Sequence, residues 1–144
     1  RVETWVAEAV SAGAEVMCGG KRISESCYAP TVLFNPPQDC RVSREEIFGP
    51  VISVYEKQDL NDAIAQANSL PYAFQASVFS NDYTEIMNAI NGLDGSAIMV
   101  NEHSAFRVDW MPFAGRNRSG LGVGGIAHTL EDMSQSKMAV LSFG

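Results

Sequence analysis

With 144 residues, 46% of them hydrophobic and 19% charged, the chain can bury roughly 70% of its unfolded surface, enough for one compact domain. Its 17 acids and 10 bases give a net charge of -7 and are scattered, so no basic face is available to nucleic acid. No apolar run approaches the length of a transmembrane helix, which argues against a membrane partner.

The first element is a helix. Val2, Trp5, Val6, Ala9 and Val10 trace an i, i+3, i+4, i+7, i+8 stripe that ends at Gly13. A sequence that opens on a full amphipathic helix at Arg1, without an initiator Met, reads as cut from a longer protein. "AEVMCGG" then reads as a short strand closed by a glycine turn. "YAPTVLF", Tyr28 to Phe34, reads as a strand stopped by Asn35-Pro36-Pro37.

From Val51 the pattern is regular. "VISVYE" is a strand, Asp59 caps a helix that turns Leu60, Ala63, Ile64 and Ala67 inward, and Pro71 closes it. "FQASVF" is the next strand. Ser80 or Asn81 caps a helix carrying Tyr83, Ile86, Met87 and Ile90 on its inner face, and "SAIMV" is a third strand. The order predicts an α/β fold, a parallel βαβαβ-type sheet with flanking helices.

Such sheets place ligands beyond the carboxyl ends of their strands, so the loop "NEHSAFRVDWMPFAGRNRSG" is a site candidate on topology alone. The alternative reading is an ordered surface loop with Trp110 and Phe113 tucked inward. "GLGVGG", Gly120 to Gly125, matches G-x-G-x-x-G formally, but turn residues precede it where the dinucleotide fingerprint requires a strand. It is expected to be a close-packed turn.

Three cysteines, Cys18, Cys27 and Cys40, show no CxxC spacing and no neighbouring histidine, and are expected as buried, reduced thiols. His103 beside Glu102 reads as a hydrogen-bonding residue. The sequon at Asn117 would matter only in a secreted chain, and no leader precedes it, so a cytoplasmic location and no metal site are expected.

"SREEIFGPV", Ser43 to Val51, sets Glu45 and Glu46 ahead of an aromatic and a Gly-Pro break. The pair could be a solvated turn, or a carboxylate presented to a ligand with paired hydroxyls beside the flat wall of Phe48. The residues alone leave both open.

Taken together, "EEIFGPV", "ASVF", "IMVN", "PFAGRNRSG" and "MSQSKMAVLSF", in that order, resemble the aldehyde dehydrogenase superfamily over nearly the whole chain. The wording "FRVDWMPFAG" looks most like the branch that handles lactaldehyde and phosphorylated or phosphonate aldehydes. The resemblance implies that 1–135 is the C-terminal portion of the catalytic domain and 136–144 a closing strand through which the protein forms homo-oligomers. It also implies oxidation of a small aldehyde to a carboxylic acid with NAD or NADP. Glu46 would then accept hydrogen bonds from the nicotinamide ribose, Phe48 would pack beside the nicotinamide end, and Phe106, Arg107 and Phe113 would line the aldehyde entrance. It assigns no catalytic residue here, because the family's nucleophilic cysteine and general-base glutamate lie farther upstream, so the chain alone is expected to be inactive. One departure is Val123-Gly124-Gly125, where the family often carries a basic-acidic pair. The rival expectation is a non-catalytic binding or assembly module that keeps the fold.

Overall fold

The first helix in the computed structural model, which describes residues 1–144, is α1, Val2–Ser11. It buries Trp5, Val6 and Ala9, while Val10 is exposed, so the buried stripe is narrower than its periodicity predicts. The helix stops at Ala12, and Gly13 follows with φ 110°, a conformation that favours glycine.

Three strands follow within the first compact unit, Arg1–Gln58. β1 (Glu15–Cys18) pairs antiparallel with β2 (Thr31–Phe34), and β2 pairs parallel with β3 (Val51–Val54). The order β1-β2-β3 puts β2 in the centre, and its alternation turns Thr31 and Leu33 into the core. β2 begins at Thr31, later than expected, because Pro30 has no N–H to donate and Tyr28 bridges Arg22 instead. Between β2 and β3 lies a four-residue helix, α2 (Arg41–Arg44), which the sequence reading did not foresee. Val6, Ala9, Ala14, Leu33 and Cys40 form the core, with Val2, Tyr28, Val42, Ile47 and Val51 packed against it.

The second compact unit, Asp59–Gly144, opens with α3 (Leu60–Ala67), where the Asp59 carboxylate accepts the N–H groups of Asn61 and Asp62. α3 ends before Pro71: the Asn68 side chain leaves the helix to donate to Gly92 C=O and to accept the Asp94 N–H. β4 (Tyr72–Ala73) and β5 (Gln75–Val78) follow, then α4 (Tyr83–Gly92) and β6 (Ala97–Val100). β5 and β6 pair in parallel, joined by α4 as a βαβ crossover. The cap of α4 is Asp82 rather than Ser80 or Asn81. Its carboxylate accepts the Glu85 N–H, while the Ser80 hydroxyl accepts the Asp82 N–H and donates to the Glu85 carboxylate. Tyr83, expected on the inner face, is exposed, and Ala89 is the buried residue of that helix.

β7 (Arg116–Asn117) pairs antiparallel with β4, and α5 (Ile126–Asp132) closes the ordered elements. The fold is α/β, with parallel and mixed sheets and flanking helices. Of the three strands expected in one βαβαβ run, β5 and β6 pair with each other in parallel, while β3 pairs in parallel with β2 instead. Residues 134–144 form neither helix nor strand, and "KMAVLSF" has no strand partner within the chain.

Candidate functional site

The segment around Glu46 is laid along α1. At its start, Glu8 of α1 accepts both the Arg41 Nε–H (2.6 Å) and the Arg41 backbone N–H (3.2 Å), and an ion pair with the Arg41 guanidinium completes the contact. Cys40, at the N-cap position of α2, supplies no side-chain cap, so a carboxylate from another helix does that work. Arg41 lies 5.4 Å from the centre of the Trp5 ring. This pairing holds the Glu8 carboxyl below its usual range, through the Arg41 side-chain hydrogen bond first and the backbone hydrogen bond second.

Farther along, Ser43 Oγ donates to Pro37 C=O at 2.8 Å and accepts the Tyr55 hydroxyl at 2.5 Å. Ile47 packs on the core, and a Cβ on Gly49 would stand 2.6 Å from Val2 Cγ2, so only glycine lets the chain pass so close to α1. Anchored on both sides, the segment turns its two functional candidates outward. Glu46 is exposed and forms no ion pair, and Phe48 is 79% exposed with φ 49°, in the left-handed region that an aromatic residue seldom adopts. Such a carboxylate is an acceptor open to a donor-bearing ligand.

In the second unit, the Arg107 guanidinium lies over the Phe113 ring at 4.2 Å, and Phe113 in turn meets Phe74 edge-on at 4.9 Å. Phe113 exchanges both backbone hydrogen bonds with Gly124, at 2.9 and 2.7 Å. "GLGVGG" is thus the antiparallel partner of the loop, and a Cβ on Gly124 would crowd Phe113 C=O at 3.2 Å. Arg107 makes no ion pair with Asp109, though both border one groove with Ile126, Thr129 and Leu130. Phe106 borders a different groove, with β6, Glu102 and Met111. The structure therefore brings Arg107 and Phe113 together and sets Phe106 apart from Arg107. Trp110, which one reading tucked inward, is 79% exposed.

Cys18 and Cys27 are exposed, contrary to expectation: β1 is exposed along its whole length, and Cys27 sits in the loop beyond it. Cys40 is buried, and desolvation, followed by the nearby Asp39 and Glu8 carboxylates, raises its thiol pKa. No three His, Cys, Asp or Glu side chains gather in the manner of a metal centre.

The model of the family described as "Aldehyde dehydrogenase family" matches residues 1–139. The chain belongs to the aldehyde dehydrogenase family. Over 142 residues it is 38% identical to the 3-sulfolactaldehyde dehydrogenase of Priestia aryabhattai, covering 99% of this chain and 30% of that protein. The crystal structure of lactaldehyde dehydrogenase from Escherichia coli is similar with a TM-score of 0.87 and 34% identity, over 95% of this chain and 29% of that one. The glyceraldehyde-3-phosphate dehydrogenase of Methanocaldococcus jannaschii, solved in complex with NADP, is similar with a TM-score of 0.86 and 33% identity, over 93% of this chain and 29% of that one. The chain spans about 30% of the length of the curated aldehyde dehydrogenases it matches.

Proposed function

We propose that this chain is the part of an NAD(P)+-dependent aldehyde dehydrogenase that holds the nicotinamide ribose and borders the aldehyde entrance. The protein's substrate would be a small hydroxylated or anionic aldehyde, which it oxidises to the acid. The observation that carries the proposal is the outward, ion-pair-free Glu46 carboxylate beside the exposed, left-handed Phe48, on a segment fixed against α1.

These residues fit the cofactor chemically. Glu46 is acceptor-only and suits the two hydroxyls of a ribose, and the Phe48 ring offers a flat apolar face beside it. When bound, the oxidised nicotinamide supplies the hydride acceptor. The chain's own residues bind and orient: Glu46 fixes the ribose, and Phe48 limits rotation at the nicotinamide end. Arg107, its guanidinium over the Phe113 ring at 4.2 Å, offers the N–H groups of its planar fork to a carboxylate, phosphate or sulfonate on the aldehyde. A homologue named for 3-sulfolactaldehyde and another for lactaldehyde support that substrate class.

The nucleophilic cysteine and the general base are assigned to other parts of the protein. Cys40 is buried with a raised pKa, and neither Cys18 nor Cys27 has a hydrogen-bonded base, which supports the reading that this chain alone would be inactive. Its three unpaired cysteines suit a reducing, cytoplasmic setting. The apolar end, with Met138, Val140, Leu141 and Phe143 between 76% and 89% exposed, is assigned to strand pairing in a homo-oligomer.

The test is kinetic, in the full-length protein. Glu46→Gln should weaken cofactor binding or slow hydride transfer by roughly tenfold, the scale of one charge-assisted hydrogen bond. Unchanged cofactor affinity and hydride rate would remove Glu46 from the site. Arg107→Ala should cost more with anionic than with neutral aldehydes, and an equal loss with both would end its substrate role.

A further inference from the structure

The segment that presents Glu46 is held by a contact that no local motif contains. Glu8 and Arg41 stand 33 residues apart in sequence, yet Glu8 binds Arg41 through both the guanidinium and the backbone N–H. The guanidinium contact, at 2.6 Å, is the shorter of the two, and the backbone contact, at 3.2 Å, reaches the helix itself. The latter ties the first turn of α2 to α1, and α2 runs directly into Glu45, whose N–H donates to Arg41 C=O at 2.9 Å. Beyond Glu46, the same helix meets the segment again, where Val2 abuts Gly49. Arg1 adds a longer contact, Nη2 to Phe48 C=O at 3.5 Å. The two ends of the presenting turn therefore rest on the two ends of a single rigid helix.

We propose that the Glu8–Arg41 pair is a positioning device for Glu46 and Phe48: it sets the start of the presenting turn against α1, so that the carboxylate stands at a fixed height and angle for a diol ligand. This rests on the reading that Glu46 binds the nicotinamide ribose. In this role Glu8 and Arg41 act on Glu46 through the backbone of residues 41–46 and are positioning residues. Loosening the pair lets the carboxylate wander, and hydrogen bonds to paired hydroxyls tolerate little displacement.

The experiment is a double-mutant cycle in the full-length protein. Glu8→Gln keeps the shape and removes the charge, and Arg41→Lys keeps the charge and removes the fork. Each is measured alone and combined with Glu46→Gln, reading KM and dissociation constant for NAD(P)+, the single-turnover hydride rate, and the aldehyde KM. The expected result is a cofactor KM raised about three- to tenfold by Glu8→Gln with the aldehyde KM unmoved, and no further rise once Glu46 is already Gln. A loss of stability alone would move both KM values or neither and would add to that of Glu46→Gln. Additive effects therefore overturn the proposal, as does a cofactor KM unchanged in both Glu8→Gln and Arg41→Lys. If Glu8→Gln does not fold, Arg41→Lys carries the cycle by itself. If Glu46→Gln changes the cofactor constants but the positioning variants do not, only this inference falls. If Glu46→Gln is silent as well, the ribose assignment falls with it.

Discussion

Gly19 shows how closely a single residue is constrained. Its φ is +74°, and a Cβ there would lie 2.1 Å from Pro30 C=O and 2.7 Å from Thr31 Oγ1. Thr31 is buried, and its hydroxyl is fully used: it accepts the Gly20 N–H at 2.9 Å and donates to Ala29 C=O at 2.8 Å. Thr31 cannot give way without leaving its buried hydroxyl unpaired. Gly19→Ala should therefore lose about 1–3 kcal/mol to backbone strain and a further 1–3 kcal/mol or so to overpacking. Gly13→Ala is the control, because Gly13 also has a positive φ but has nothing within 4 Å of the added Cβ. It should lose the strain component alone. Urea midpoints of the two variants, compared at equal m-value, check this, and equal losses would show that crowding at Gly19 is relieved by movement of the 29–31 turn.

At the scale of elements, the legible parts were those whose signals are local. α3 was readable because its period, its Asp59 cap and its neighbours all lie within one short window. The cap of α4 was misplaced because Ser80 is already occupied by the Asp82 N–H and Glu85, a competition visible only once the turn is formed. α5 was missed because a run of glycines precedes it, and Gly125 serves as its N-cap with φ 121° and without a side-chain bond. The EEIFGP turn stood out by composition, yet its anchor runs through Arg41 to Glu8, 33 residues before Arg41, and carries no local mark. The closing run "KMAVLSF" has strand composition, but strands need partners, and the chain supplies none. Deletion of residues 136–144 from the full-length protein should consequently lower its assembly state in sedimentation velocity across micromolar concentrations. An unchanged sedimentation coefficient per chain mass would show that the tail joins no assembly sheet.

For the whole molecule, the ion pairs are unevenly divided. Glu3–Arg22 and Glu8–Arg41 both belong to the first unit, and the second has only the exposed Glu102–His103 contact. Glu3 and Glu8 have pKa values below the ordinary carboxylate range, set first by their hydrogen bonds from Arg22 and Arg41. A carboxyl whose folded pKa is depressed adds stability that is complete above its unfolded pKa and disappears as pH falls through the folded one. The first unit should thus weaken on acidification below the usual carboxylate range, while its stability stays level above it. Two tryptophans report the units separately, since Trp5 is buried in the first and Trp110 is exposed in the second. In a Trp110→Phe background, the melting temperature followed by Trp5 fluorescence should fall as pH drops from 6 to 3, and Glu8→Gln should flatten that slope. A Trp5 transition equally steep with Glu8→Gln would place the acid sensitivity in carboxylates other than the one that clamps α2.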